Sequence, residues 1–244
     1  MKKYFKFHFF FYITSFIFLL SGHFKDYIMI MGIVLFHELG HITMGLYFKW
    51  PIQKIVILPL GCITKFKTEI NVPLREEFLV TIMGPFFQII GAFFYYQITK
   101  NELFLFYHHI LLFLNLIPII PLDGSKIVNV FFCKIFSYKK ALFLSLKLSI
   151  FLLIILSLYQ FYHFNFLLFL WIILLILENK KEKQILLLKF YLFLKERIKY
   201  SYKLPYHYEK NNRVDKIKRD VNTIFQNRYT ERDLIKRYFH YEIR

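Results

Sequence analysis

Tyr27–Phe48 reads YIMIMGIVLFHELGHITMGLYF, an apolar run with His37, Glu38 and His41 set into its middle. About 20 helical residues cover a hydrocarbon core of about 30 Å, so the run is long enough to cross a bilayer. Backbone groups in hydrocarbon must be satisfied within the segment, which makes the run a helix. His37-Glu38-Leu39-Gly40-His41 fits the pattern H-E-x-x-H. On a helix the two histidines are one turn apart and share a face, so both imidazoles can bind one zinc. Glu38 sits beside them, placed to take a proton from a water. A charged residue at the centre of a membrane helix costs about 2.5–3.5 kcal/mol. Two core histidines with a stray glutamate are therefore the weaker explanation. Gly40 offers a small surface on which a second helix can approach closely.

The rest of the chain has the same character. Of 244 residues, 57% are hydrophobic and 21% aromatic. Ordinary globular chains are roughly 45–50% apolar, so a soluble domain does not fit, and disordered and collagen-like classes are excluded. Five further apolar blocks accompany the first, at Phe5–Ser21, Phe78–Ile98, Leu103–Leu122, Ala141–Leu158 and Phe161–Leu177. The first follows Lys2, Lys3 and Lys6, but no small-residue cleavage site follows it, so it reads as a span rather than a signal peptide.

The charged loops then orient the chain. Lys49, Lys54, Lys65, Lys67 and Arg75 mark the second loop, and Lys126, Lys134, Lys139 and Lys140 the fourth. The first and third loops have only Lys25 beside Asp26 and Lys100 near Glu102. This alternation predicts six spans with both termini in the cytosol. The net charge of +17 is thereby mostly loop and tail charge, and nucleic acid is not an expected partner. Cys62 and Cys133 lie in apolar surroundings and give neither a disulfide framework nor a thiolate zinc site.

Two segments depart from the plain helical pattern. Pro51–Phe66 mixes β-branched residues with Pro59 and Gly61, and reads as a small β-hairpin or re-entrant segment against the membrane, or else as an interfacial loop. The tail, Glu178–Arg244, has 18 Lys and Arg against 9 Asp and Glu, a net +9, and no glycine follows Gly124. Lys180–Tyr200 and Val214–Tyr241 have helical composition, which suggests amphipathic cytosolic helices near anionic lipid. The expected class is thus an all-α polytopic membrane protein, with domain 1–177 holding six spans and 178–244 forming a basic cytosolic tail.

A catalytic zinc usually has three protein ligands and one open position. Asp123 is the best candidate for the third. Asn115-Leu116-Ile117-Pro118-Ile119-Ile120-Pro121-Leu122 precedes it, and the two prolines break the end of the fourth block. At 1.5 Å per residue, His37 lies about 15 Å and His41 about 21 Å into the second span, and the fourth span runs inward to deliver Asp123 to the same portion. Glu69, Glu76 and Glu77 compete as ligands from a loop that solvent can reach. His8, His23, His108, His109 and His163 lie near span ends and read as interfacial.

Phe36–His41 together with Asn115–Gly124, NLIPIIPLDG, resembles the site-2 proteases, a family of intramembrane zinc metalloproteases, and within it the stage IV sporulation protein FB type. The resemblance spans about Phe5–Leu177. It implies zinc on His37, His41 and Asp123, with Glu38 activating water. It also implies that Asn115 steadies substrate backbone or an oxyanion, and that Gly61 lies in a re-entrant β-segment. Gly84-Pro85-Phe86-Phe87 matches a family element in which Asn usually follows, but here Gln88 stands in that place. The subgroup often ends in a nucleotide-sensing CBS domain. This tail shows no clear β-α-β alternation, so nucleotide binding is not carried over, and a degenerate form of that domain stays open.

The expected activity is hydrolysis of a peptide bond in a membrane-tethered protein near the cytosolic face. A sigma-factor precursor in sporulation is the substrate that the resemblance implies, with membrane-embedded regulators as further partners. A zinc transporter or sensor, and an inactive scaffold of the same fold, are the rival classes.

Overall fold

The structure is a computed structural model and describes residues 5–7, 9–58, 61–68, 70–200, 202, 204–225 and 230–242. Lys2, Lys3, His8, Pro59 and Glu69, which the sequence reading invokes, lie outside the described residues. The order of elements is β1 (Phe5–Phe7), α1 (Phe9–Leu20), α2 (Phe24–Tyr47), β2 (Ile52–Leu58), β3 (Gly61–Phe66), α3 (Leu74–Thr99), α4 (Glu102–Leu116), α5 (Asp123–Ile135), α6 (Tyr138–Tyr162), α7 (Phe166–Lys199), β4 (Tyr206–Glu209), β5 (Asn222–Phe225) and α8 (Glu231–Glu242). Helices α2, α3 and α6 are long and apolar enough to cross a membrane, and α4 is a shorter apolar helix. Two compact units emerge, one of Met1–Thr68 with Phe78–Leu116, the other of Glu69–Glu77 with Ile117–Arg244.

In the first unit, β2 and β3 form an antiparallel hairpin with Leu58 opposite Gly61, and β1 adds to β2 in parallel, giving the order β1-β2-β3. The first apolar block therefore opens as a strand before its helix begins at Phe9. The face of α2 that carries Ile33, His37, Glu38, Gly40, His41 and Gly45 is buried, while Leu35, Phe36 and Leu39 are exposed. That is the one-sided burial that a helical period produces. The Gly40 expectation holds. A Cβ there would meet the backbone of Met83, its carbonyl carbon at 2.7 Å, and Gly84 Cα at 3.0 Å, so α2 and α3 cross backbone against backbone.

In the second unit, α5, α6, α7 and the tail share one core containing Cys133, Tyr138, Leu142, Phe190, Phe193, Ile217, Phe225 and Ile235. One expectation holds here and two are corrected. First, the fourth block is broken at its end, as its two prolines predict. It stops at Leu116, because Pro118 and Pro121 cannot donate, and the chain runs irregularly to Leu122 before α5 starts at Asp123. The freed backbone is met by side chains. Ile120 N–H donates to Ser149 Oγ at 2.9 Å, Asn179 Nδ2 donates to Ile120 O at 2.8 Å, and Ser149 Oγ donates to Asn179 Oδ1 at 2.6 Å.

Second, Lys180–Tyr200 is not a separate helix. It continues the sixth block in the 34-residue α7, so residues 177 and 178 lie inside one element. Third, among the described residues of Val214–Tyr241 the helical ones are those of α8 and a 3-10 turn at Val214–Lys216, and β4 and β5 pair in parallel. The tail is thus not purely helical. Thr223 and Phe225 are buried while their neighbours are half-buried, the period of two that a strand imposes on β-branched and aromatic residues.

Candidate metal centre

His37 and His41 come from one turn of α2, as the spacing requires, and both are buried. Their Nε2 atoms face each other at 3.1 Å. The opposite nitrogens are each held. His41 Nδ1 lies 2.8 Å from the backbone carbonyl of Val80, and His37 Nδ1 lies 2.9 Å from Gln88 Oε1. A carbonyl oxygen only accepts, so Nδ1 carries the proton in His41, and with Oε1 as its partner the same holds for His37. In the neutral ring Nε2 is then the nitrogen that holds the lone pair, the form in which an imidazole binds a metal. Two nitrogens about 2.0–2.1 Å from one tetrahedral zinc would be about 3.3 Å apart. The observed separation is close to that.

The adjoining space also fits a metal. A Cβ added at Gly84 of α3 would run into His41 Cε1 and Nε2 and would reach His37 Nε2 at 2.9 Å. Glycine therefore keeps open a cradle beside both donor atoms.

Glu38 is buried on the same helix, and its Oε1 accepts the backbone N–H of Thr64 on β3 at 2.5 Å. The carboxylate is thereby tied to the hairpin, with its second oxygen not used in that bond. Because β3 is an edge of the sheet among the described residues, Thr64 offers its N–H outward to Glu38.

Asp123 is buried in the first turn of α5, in the second unit, where the positive end of the helix favours a carboxylate. Its Oδ1 accepts from Lys126 Nζ at 2.8 Å. His37 and His41 belong to the first unit and Asp123 to the second.

Asn115 is half-buried in the last turn of α4, and Gly61 opens β3. Of the rival carboxylates, Glu76 and Glu77 lie in the first turn of α3, and Glu77 is held by Arg219 at 2.6 Å. Burial works against the charge of Arg219, but Glu77 outweighs it and keeps the guanidinium above its ordinary pKa. Glu77 is therefore a structural partner of the tail.

His108 corrects another expectation. It is not interfacial but buried within α4, where its backbone carbonyl accepts from Gln88 Nε2 at 3.1 Å. The reading in sequence left Gln88 in doubt because Asn is usual there, and it missed Val80 and Thr64 altogether. Two of these contacts use backbone atoms, which leave no signature in residue identity.

Comparison with known proteins agrees with this picture. Residues 26–104 match the sequence model of Peptidase family M50. Stage IV sporulation protein FB of Bacillus subtilis is 39% identical over 150 residues, covering 58% of this chain and 52% of that protein. A zinc metalloprotease of Methanocaldococcus jannaschii is 31% identical over 126 residues, covering 47% of this chain and 36% of that protein. The chain thus spans about half the length of the first relative and about a third of the second. The solved site-2 protease from Methanocaldococcus jannaschii shares the fold, with a TM-score of 0.59 at 21% identity over 73% of this chain and 89% of that one. The resemblance carried by the two motifs is borne out in sequence and in fold.

Proposed function

We propose that the chain is an intramembrane zinc metallopeptidase, with His37, His41 and Asp123 as metal ligands and Glu38 as general base. The observation that carries this reading is the pair of buried imidazoles on one helical turn, Nε2 to Nε2 at 3.1 Å, beside the Gly84 cradle. A zinc ion, when bound, supplies Lewis acidity and lowers the pKa of a water from about 15.7 to about 7. The protein does the rest. Glu38 takes a proton from the attacking water as the C–O bond forms, then hands it to the leaving nitrogen as the C–N bond breaks. Thr64 N–H holds one carboxylate oxygen, which aims the other at the reacting atoms.

A substrate helix has its amides internally bonded, so it must be presented in extended form. The outer edge of β3, where Thr64 already meets Glu38, lies where an extended substrate strand would add. Gly61 at the start of that strand, and Asn115 in α4, are the groups we assign to substrate backbone or oxyanion support. We read six crossings, adding α1, α4 and the apolar first part of α7 to the three long spans, with a membrane-lying hairpin and both termini cytosolic. The alternating loop charges support that orientation. The cut then falls near the cytosolic face of a membrane-tethered protein, and the sporulation relative favours a sigma-factor precursor as substrate.

The test is cleavage of a tethered substrate by Glu38→Gln and Asp123→Asn. Loss of a general base lowers rate about 10²- to 10⁴-fold. Glu38→Gln is expected to keep its zinc and lose activity, and Asp123→Asn to lose both. Full activity in either variant removes the role assigned to that residue.

A further inference from the structure

Gln88 is 2% exposed in the middle of α3, and both ends of its amide are engaged. Nε2 donates to the carbonyl oxygen of His108 at 3.1 Å and lies 3.4 Å from His108 Nδ1. A main-chain carbonyl has no proton to give, so this contact fixes which end of the amide faces α4. Oε1 must then face His37, where it lies 2.9 Å from Nδ1. An amide oxygen has no proton either, so His37 carries a hydrogen on Nδ1, which in the neutral ring leaves Nε2 as the nitrogen with the lone pair. The same chain of contacts sets the plane of the ring, because Gln88 is itself anchored to the main chain of α4.

We propose that Gln88 is a positioning residue for His37: it selects the tautomer and fixes the direction in which Nε2 is offered to the metal. This rests on the zinc-site reading above. Of the two supports behind the histidines, the one for His41 is the main-chain carbonyl of Val80, which no substitution removes. Gln88 is the support that substitution can remove. Partners behind ligating histidines raise ligand basicity, and their loss typically costs 10- to 100-fold in metal affinity.

The experiment measures zinc affinity of the full chain in detergent by chelator competition, with the cobalt-substituted absorption spectrum as a report on ligand geometry. Gln88→Met keeps length and burial but makes no hydrogen bond, and is expected to weaken zinc about 10- to 100-fold and alter the cobalt bands. Gln88→Glu keeps an acceptor behind His37 and adds charge, which raises ligand basicity, so it is expected to tighten zinc and shift the cobalt bands. His37→Ala and His41→Ala run alongside. If the histidine variants lose zinc while Gln88→Met stays within twofold of wild type with an unchanged cobalt spectrum, the role of Gln88 is overturned and the metal site stands. If the histidine variants keep their zinc, the metal-site reading fails and takes this proposal with it. Should Gln88→Met not fold, Gln88→Glu decides, since unchanged affinity and an unchanged spectrum there also overturn the proposal.

Discussion

Gly84→Ala tests the metal cradle with a single methyl group. The added Cβ would overlap His41 Cε1 and Nε2 and lie 2.9 Å from His37 Nε2. An ordinary carbon contact is about 3.5–4.0 Å, so the His37 ring alone must retreat by more than half an ångström. Metal–ligand distances tolerate about 0.2 Å. The rings cannot swing away freely, because their Nδ1 atoms are held at 2.9 Å by Gln88 and 2.8 Å by Val80. Helix α3 cannot back away without opening the contact between Gly40 and the Met83 backbone. Overpacking costs about 1–3 kcal/mol, and alanine returns about 1 kcal/mol of helix propensity. The folded protein should therefore survive with a small loss, while zinc affinity falls at least about tenfold, the lower end for a disturbed metal site. Zinc content of the purified chain and its thermal unfolding measure the two effects separately. Gly32→Ala is the control, since a Cβ there meets nothing within 4 Å, and it should hold wild-type zinc. Wild-type zinc content in Gly84→Ala would refute the cradle.

Three other outcomes follow from the second unit. Asn179→Leu strips the donor from Ile120 O and the acceptor from Ser149, and should cost about 1–3 kcal/mol by thermal unfolding; no destabilisation would mean that this turn is held by something else. Glu196 accepts from the N–H groups of Ile70 and Asn71 and from Asn71 Nδ2, so Glu196→Ala should destabilise the chain by a similar about 1–3 kcal/mol, while Glu196→Gln, which keeps an acceptor, loses less. Burial pushes the Cys133 thiol up to about 12. With Cys62→Ser making it the sole cysteine, alkylation at pH 8 should run about three orders of magnitude slower than for a free thiol of pKa about 8.5. It should quicken as pH rises toward 12, and rapid labelling at pH 8 would contradict the buried placement.

The parts legible in the sequence were those written in local pattern. Hydropathy over Tyr27–Phe48 is a property of consecutive residues, and His37 and His41 share a face through helix geometry alone. Pro118 and Pro121 announced a break near Asp123, though not that the helix would stop at Leu116. What stayed hidden depends on which helices pack together. Gln88, Ser149 and Asn179 look in sequence like ordinary polar residues in apolar helices, and their roles appear only when His37 or Ile120 is brought alongside. The pairing of β1 with β2 joins residues some fifty positions apart, a separation on which local periodicity is silent. In the tail, Tyr, Thr, Ile and Phe interleaved with charge suit a helix or a strand equally, and burial of Thr223 and Phe225 decides for the strand.

The polar groups inside the apolar helices serve two ends. Around Ile120, Ser149 and Asn179 supply the donor and acceptor that the broken helix lacks. At His37 and His41, Gln88 and the Val80 carbonyl hold the Nδ1 sides, and the Nε2 atoms meet at 3.1 Å. The proposed zinc would take a lone pair from each ring, and a chelator tests for it at constant pH. Zinc bound only to the native state adds about 2.7 kcal/mol at a free concentration 100 times its dissociation constant. Chelation should then lower the unfolding midpoint, and added zinc should restore it. His37→Ala should abolish both changes. A midpoint that ignores the chelator at fixed pH would overturn the metal assignment.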